Sequence, residues 1–302
     1  MATAAKANTF ADLKKNRTAS LETLTKKIEE LSTKASYGDD RFWRPQVDKV
    51  GNGFAVFRFL PQPKGEDYPW VIQYEHAFQG PGGWLIDLCP TSIGEQCSIC
   101  TSNGKLWNSG VDDNKDQARK QKRKLSYISN IYMINDPVNP DNNGKVFLFK
   151  YGKKIFERIN DVMNPSFEDE TAYSPFDLWE GANFKMKIRN VEGYRNYDKS
   201  EFDAASPLLT KDEELQKIYD KEYSLQEFLD PKKYKSSDEL EAKLRRVLCL
   251  DEPERQLRNA VASVTSTSTR LSIDDAIKGK PIYSADDEPD DDYFKRLVSD
   301  ED

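Results

Sequence analysis

Short apolar runs separated by turn residues dominate the middle of this chain, and long apolar stripes are rare. Residues 54–60 (FAVFRFL), 70–78, 84–89, 125–134, 145–151 and 183–192 are rich in Val, Ile, Phe and Tyr and are bounded by Gly, Pro and Asn. That pattern predicts strands. Gly51-Asn52-Gly53 and Gly80-Pro81-Gly82-Gly83 mark tight turns. Near the N-terminus, Ser20 suits a helix cap, and Leu21, Leu24, Ile28 and Leu31 share one helical face. The stripe is narrow, so this helix is expected to dock on something. Further helical patterns run over about 153–163 and across 211–248. Strands first, with helices inserted or appended, predict a mainly β fold with helical additions (α+β), not a parallel α/β sheet. From Ser263 the chain reads VTSTSTR and then DDEPDDD, the composition of a disordered linker and tail.

Composition sharpens this picture. Of 302 residues, 37% are hydrophobic and 32% charged, which fits a folded centre with polar extensions. No apolar run approaches bilayer length, and MATAAKANTFADLKKNRT lacks the apolar stretch of a signal peptide. An intracellular protein with unpaired thiols is therefore expected. The net charge of −7 hides a division: Asp286–Asp302 has nine acidic and two basic residues, while Lys115–Arg158 has eleven basic and four acidic. A basic patch and an acidic tail on one chain point to a nucleic-acid surface and a tail that competes for it or recruits basic partners.

Three of the four cysteines and the lone histidine fall in one window, as His76-x12-Cys89-x7-Cys97-x2-Cys100. A Cys-x2-Cys turn supplies two ligands from one knuckle, and His76 and Cys89 flank the Gly-rich turn, where a hairpin would bring them together. Three thiolates and one imidazole fill a tetrahedral zinc sphere and leave no place for water, so one structural zinc ion is expected. The bland alternative is four unrelated buried side chains. Cys249 stands apart on a helical pattern and reads as a buried thiol. A zinc deaminase would place Glu two residues after the histidine, where this chain has Phe78. G-x4-GK[ST], HExxH and G-x-S-x-G are absent, and a histidine committed to metal cannot serve a triad. The chain is not expected to be an enzyme.

The run Arg119-Lys120-Gln121-Lys122-Arg123-Lys124 leads directly into LSYISNIYMI, and Phe147, Phe149 and Tyr151 alternate along a strand before Lys153 and Lys154. Tyr194-Arg195-Asn196-Tyr197 repeats the mixture on a later turn. Basic groups track phosphates while aromatic faces stack on unpaired bases, so the interleaving favours single strands. A Phe/Tyr stripe on a strand is equally a core signature.

Taken together, GNGFAVFRFLP (51–61), the His/Cys cluster, KRKLSYISNI (122–131), NNGKVFLFKYGKKIFERIN (142–160) and WEGANFKMKIRNVEGYRNYDKSEF (179–202) resemble the helix-destabilising single-stranded DNA-binding proteins of T-even-type bacteriophages. The resemblance implies an OB-fold core at 35–262 carrying an inserted zinc subdomain at about 70–110. It also implies a flexible basic arm over 1–34 and an acidic protein-interaction tail over 263–302. By matching position it assigns Arg58, Lys122, Arg123 and Lys124 to phosphates. Tyr127, Phe149, Tyr194 and Tyr197 would line a base cleft with Lys150 beside them. Lys14, Lys15, Arg17, Thr18 and Ser20 resemble the motif that docks on a neighbouring subunit. Phe149 stands where the family has tyrosine, and Ala118 where a cleft tyrosine is expected, which shifts stacking toward Trp107. The implied role is cooperative coating of single-stranded DNA in replication, recombination and repair, in the cytoplasm of an infected bacterial host. Replication and recombination proteins would be recruited by the tail, and no membrane partner is implied. A zinc-stabilised RNA-binding or protein adaptor is the alternative, and a metal-dependent nuclease a distant third.

Overall fold

The structure is a computed structural model, and it describes residues 39–250 apart from 168 and 192. The chain divides into two units, residues 1–42 and 43–302. Of the first, only residues 39–42 are described, a turn in which Arg41 pairs with Asp39. The expected arm helix, the self-association candidates Lys14, Lys15, Arg17, Thr18 and Ser20, and the tail from 263 lie outside the described residues.

Six strands form where apolar runs predict them: β1 (Gly53–Phe59), β2 (Val71–Gly80), β3 (Gly83–Leu88), β4 (Lys124–Asn135), β5 (Val146–Tyr151) and β6 (Phe184–Val191). Two short strands extend the sheet: β7 (Tyr194–Asn196), where the sequence suggested a turn, and β8 (Glu201–Phe202). The pairings are antiparallel, in the order β3-β2-β4-β1-β6-β7, with β5 on β4 and β8 on β6. The long β4 organises the whole. Its first half pairs with β2, from Glu75↔Lys124 to Val71↔Ile128, and its second half pairs with β1 around Phe59↔Ile131. Its other edge takes β5, from Tyr127↔Tyr151 to Tyr132↔Val146.

Among the described residues the α-helices are α1 (Ser98–Trp107), α2 (Asp112–Gln121), α3 (Lys153–Met163), α4 (Asp212–Tyr219) and α5 (Ser237–Val247). The helical pattern across 211–248 is divided, because Pro231 opens a 3-10 turn and Ser236 with Glu239 forms a capping box that starts α5 afresh. Helices α1 and α2 are additions to the expected set. Helix α2 reads DDNKDQARKQ and buries only Ala118 and Gln121, so it carries no apolar stripe to read.

Strand alternation collects Phe57, Phe59, Phe149, Tyr151 and Phe184 on one face, where Trp43 joins them. Adjacent rings lie between 5.1 Å (Phe57–Phe149) and 5.8 Å (Phe59–Phe184) apart. Each buried ring of this kind stabilises by about 1.5–3 kcal/mol, and aromatic pairing adds about 0.5–1.5 kcal/mol. A second core joins Phe78, Leu85, Cys89, Cys97, Ile99 and Cys100 to Leu240, Leu244 and Val247 of α5. Helix α5 thus packs on the β2–β3 hairpin, far outside the expected 70–110 subdomain. The glycines of that hairpin turn serve this contact as well as the turn: a Cβ at Gly82 would lie 2.2 Å from the Arg246 carbonyl oxygen, and one at Gly80 2.5 Å from that of Val247. Asp87 of β3 secures the contact by pairing with both Lys235 and Lys243. Cys249 is not the buried helical thiol expected: α5 has ended, and Cys249 sits half-buried with φ +54° in the turn that terminates it.

Candidate nucleic-acid interface and metal centre

The metal candidates converge as their spacing predicts. His76 lies on β2, and the chain leaves β3 at Cys89, whose amide still donates to the Tyr74 carbonyl at 2.9 Å. Cys89 precedes a 3-10 turn (Pro90–Ile93), Cys97 caps α1, and Cys100 sits in the first turn of α1. All four side chains are buried, and their ligand atoms lie within 4.8 Å of one another. Cys97 Sγ and Cys100 Sγ are 3.4 and 3.6 Å from His76 Nε2, and Cys89 Sγ is 3.6 Å from Cys100 Sγ. Tetrahedral metal–sulfur and metal–nitrogen bonds give edges of about 3.5–3.8 Å, so the group has the dimensions of a four-coordinate site. Hydrogen bonds from Cys100 and Cys97 pull the Cys89 thiol down, while Cys89, Cys97 and burial push the Cys100 thiol up. The thiols cannot all ionise in this pocket by themselves, and a divalent cation would remove the conflict. The four residues can hold a metal ion, with imidazole Nε2 as the nitrogen donor.

The nucleic-acid candidates divide. Arg123 stands just before β4, and its guanidinium lies over the Tyr74 ring, 4.1 Å from the centroid. Tyr74, Ile72 and Trp70 fall on one side of β2 by alternation, and Tyr68 continues the row, its ring 6.2 Å from Trp70. Tyr68 is 65% exposed and Ile72 39%, with Trp70 and Tyr74 half-buried. Helix α3 borders the row through Phe156, 5.4 Å from Trp70, and carries Lys153, Lys154 and Arg158. Lys154, Arg158, Asn196 and Tyr197 line an open cavity of about 490 Å³, together with Glu157, Asp161 and Asp198. Tyr194 is half exposed, at the start of β7.

Four of the expected contact residues are buried or paired within the fold. Arg58 is fully buried: it donates to Asn183 Oδ1 at 3.0 Å and to the carbonyls of Asp177 and Ser206 at 3.2 and 2.9 Å. Burial pushes its guanidinium down to about 10, and it faces no solvent. Phe149 is 2% exposed and enclosed by Trp43, Phe57 and Tyr151. Tyr127 is buried with both ring faces taken, by Phe156 at 4.0 Å and Tyr151 at 5.7 Å. Lys150 points to the opposite side of the sheet from Tyr127 and Phe149 and pairs with Glu75 at 2.6 Å. Lys122 is buried and Lys124 half-buried beside Arg123. Ala118 is buried against Leu106 and Trp107, and Arg119 lies over the Trp107 ring at 5.1 Å.

Tyr68, Trp70, Ile72 and Tyr74 are not among the residues the sequence singled out. Their stretch, EDYPWVIQY, has no Lys or Arg among its aromatics, so it lacks the basic–aromatic interleaving that marks a strand-binding surface. The only signal was three aromatics within seven residues at the entrance to a strand.

The described residues thus form an antiparallel sheet with an aromatic row on β2, bordered by α3, and a buried Cys3His cluster that could hold a metal ion. The model of the family described as gp32 DNA binding protein like matches residues 51–248, and the chain belongs to that family. It is 36% identical over 215 residues to a single-stranded DNA-binding protein of Enterobacteria phage T4, covering 68% of this chain and 69% of that one. It is 35% identical over 244 residues to a protein of the same description from Enterobacteria phage T2, covering 78% and 79%. The family is one of DNA-binding proteins, not of enzymes. Among the described residues, no helix is long and apolar enough to cross a membrane.

Proposed function

We propose that this protein binds single-stranded DNA along the exposed side of β2, with Tyr68 and Trp70 stacking on bases and Arg123, Lys153, Lys154 and Arg158 near phosphates. The observation that carries this reading is the unbroken row Tyr68–Trp70–Ile72–Tyr74, closed by the Arg123 guanidinium at one end and bordered by basic α3. The names of the phage relatives support it. Tyr194 and Tyr197 extend the track past α3 in this reading, and Lys122 and Lys124 flank Arg123. Phosphate contacts gain affinity by counterion release, so binding weakens steeply with salt. Each stacked base is worth about 1–3 kcal/mol. A duplex then melts by mass action, because only the single-stranded state is bound.

In the same reading the Cys3His cluster holds one zinc ion, closed to substrate and structural in effect. The core sheet is of OB type, supported by the direct pairing of β1 with β4 across the whole β2–α2 insertion. Cooperative coating through the basic arm, recruitment of replication and recombination proteins by the −7 tail, and action in replication, recombination and repair inside an infected bacterium complete the proposal.

The test is a titration with oligo(dT), the matching duplex and tRNA, followed by intrinsic fluorescence at low and high salt. Quenching by oligo(dT) alone, reversed by salt, is the expected result. Tight binding to tRNA with weak binding to oligo(dT) would favour the adaptor reading instead.

A further inference from the structure

The basic residue nearest the aromatic strip is joined to the metal cluster through one hydroxyl. Arg123 Nη1 donates to Thr91 Oγ1 at 2.5 Å, and Thr91 Oγ1 lies 3.1 Å from Cys89 Sγ. A guanidinium only donates, so the single hydroxyl hydrogen of Thr91 is left for the sulfur. The 3-10 turn Pro90–Ile93 fixes the spacing by starting at the ligand itself, with Cys89 as its cap. Its next residue, Ser92, accepts from the Tyr74 amide at 2.8 Å, which ties the same turn to the strand carrying the aromatic strip.

We infer that Thr91 is a positioning residue that locks Arg123 over Tyr74 and orients the Cys89 thiolate toward its metal, so that metal binding and strand binding are energetically coupled through this hydroxyl. The inference rests on the single-strand reading above for its second half. A hydrogen bond to a thiolate ligand withdraws charge from sulfur, and the cation behind it strengthens that bond. A phosphate on Arg123 uses other donors of the same fork, and so holds the guanidinium against Thr91. Coupling of this kind is reciprocal: a strand that fixes Arg123 must tighten metal binding, and a bound metal must tighten strand binding by the same factor.

The test uses the full chain loaded with cobalt(II), whose thiolate charge-transfer band reports the sulfur ligands directly. Thr91→Val keeps the shape of the side chain and removes the hydroxyl, and Thr91→Ser restores it. The band is expected to shift in the valine variant and to return in the serine variant. At equilibrium with a competing chelator, metal affinity is expected to rise about five-fold or more when oligo(dT) is added to the parent and serine proteins, and to be insensitive to it in the valine protein. A valine variant with the parental band and the parental rise would overturn the inference. So would a shifted band with an undiminished rise, which would leave a hydrogen bond without coupling. If Thr91→Val cannot be loaded, Arg123→Met, which keeps an apolar stem on Tyr74 but donates nothing, must lose the effect of saturating oligo(dT) on metal affinity. Failure of the parent to bind oligo(dT) at all would count against the functional reading, and the band alone would then judge the Thr91 link.

Discussion

Arg58 Nε donates to Asn183 Oδ1 at 3.0 Å, across a buried seam between β1 and the segment that enters β6. The remaining guanidinium nitrogens hold the carbonyls of Asp177 and Ser206, so one side chain organises the loop containing the WEGANF stretch. Gly181 belongs to the same arrangement, since a Cβ there would meet the Asp177 carbonyl oxygen at 2.2 Å. Removing Arg58 strands these acceptors. Arg58→Ala is expected to lower stability by about 2–4 kcal/mol in urea unfolding, the cost of several unpaired buried groups. Oligo(dT) affinity, measured where the variant is fully folded, should stay within two-fold of the parent. A large affinity loss with normal stability would return Arg58 to the binding surface.

The contrast between Arg58 and Arg123 shows what was legible in the sequence. Both sit in apolar–basic stretches, and alternation correctly places Arg58 on the opposite side from Phe57 and Phe59. What covers that opposite side comes from Asp177, Asn183 and Ser206, more than a hundred residues later, and no local pattern announces it. The aromatic stripe Phe147–Phe149–Tyr151 carried the same ambiguity. A strand that stacks on bases and a strand that packs on Trp43 and α3 have the same alternation, and only tertiary contacts decide between them. The metal cluster was legible because its ligands are local and their chemistry is rare. Helix α5, its distant cover, was legible as a helix but not as part of that cluster.

That cover gives a second expectation. Leu240, Leu244 and Val247 share a core with Cys89, Cys97 and Cys100, so the ligand cluster and α5 hold each other in place. Chelation of the metal should raise amide exchange in α5 and the β2–β3 hairpin well before it does so in β5 or β6. Gly82→Ala, which drives a methyl into the Arg246 carbonyl, should cost about 1–3 kcal/mol and speed metal release, both measured against the parent. Uniform exchange across the sheet after chelation would mean that the metal supports the whole fold and not this corner.

A third expectation concerns pH. Burial, with the charge of Glu66 added to it, pushes the Glu222 carboxyl from its ordinary 4.5 up to about 8, and neither of its buried oxygens has a hydrogen-bond partner. Between those two values the folded chain keeps a proton that the unfolded chain has lost. This group therefore makes stability fall as pH rises through that window, and its effect levels off above about 8. Glu222→Gln should gain about 1–3 kcal/mol near pH 8.5 and nothing near pH 4.5, read from urea midpoints at both pH values. A variant that follows the parent at every pH would show that the carboxyl reaches solvent.

The last expectation separates the aromatic side chains that stack from those that pack. Tyr68 is 65% exposed, with its ring 6.2 Å from that of Trp70, whereas Phe149 is 2% exposed within a cage of rings. Tyr68→Ala should leave stability within about 0.5 kcal/mol of the parent and weaken oligo(dT) binding by about 1–3 kcal/mol. Trp70→Ala should lower both, because that ring also packs on Phe156 and Phe176. Phe149→Ala should cost about 3–5 kcal/mol of stability, with affinity unchanged for the fraction that remains folded. Fluorescence titration beside urea unfolding reads the three variants on two axes. A base that stacks on Tyr68 requires the first variant to move along the binding axis alone. If Tyr68→Ala binds oligo(dT) as the parent does while Tyr194→Ala does not, the strand runs past β7 and α3 and leaves the β2 strip uncovered.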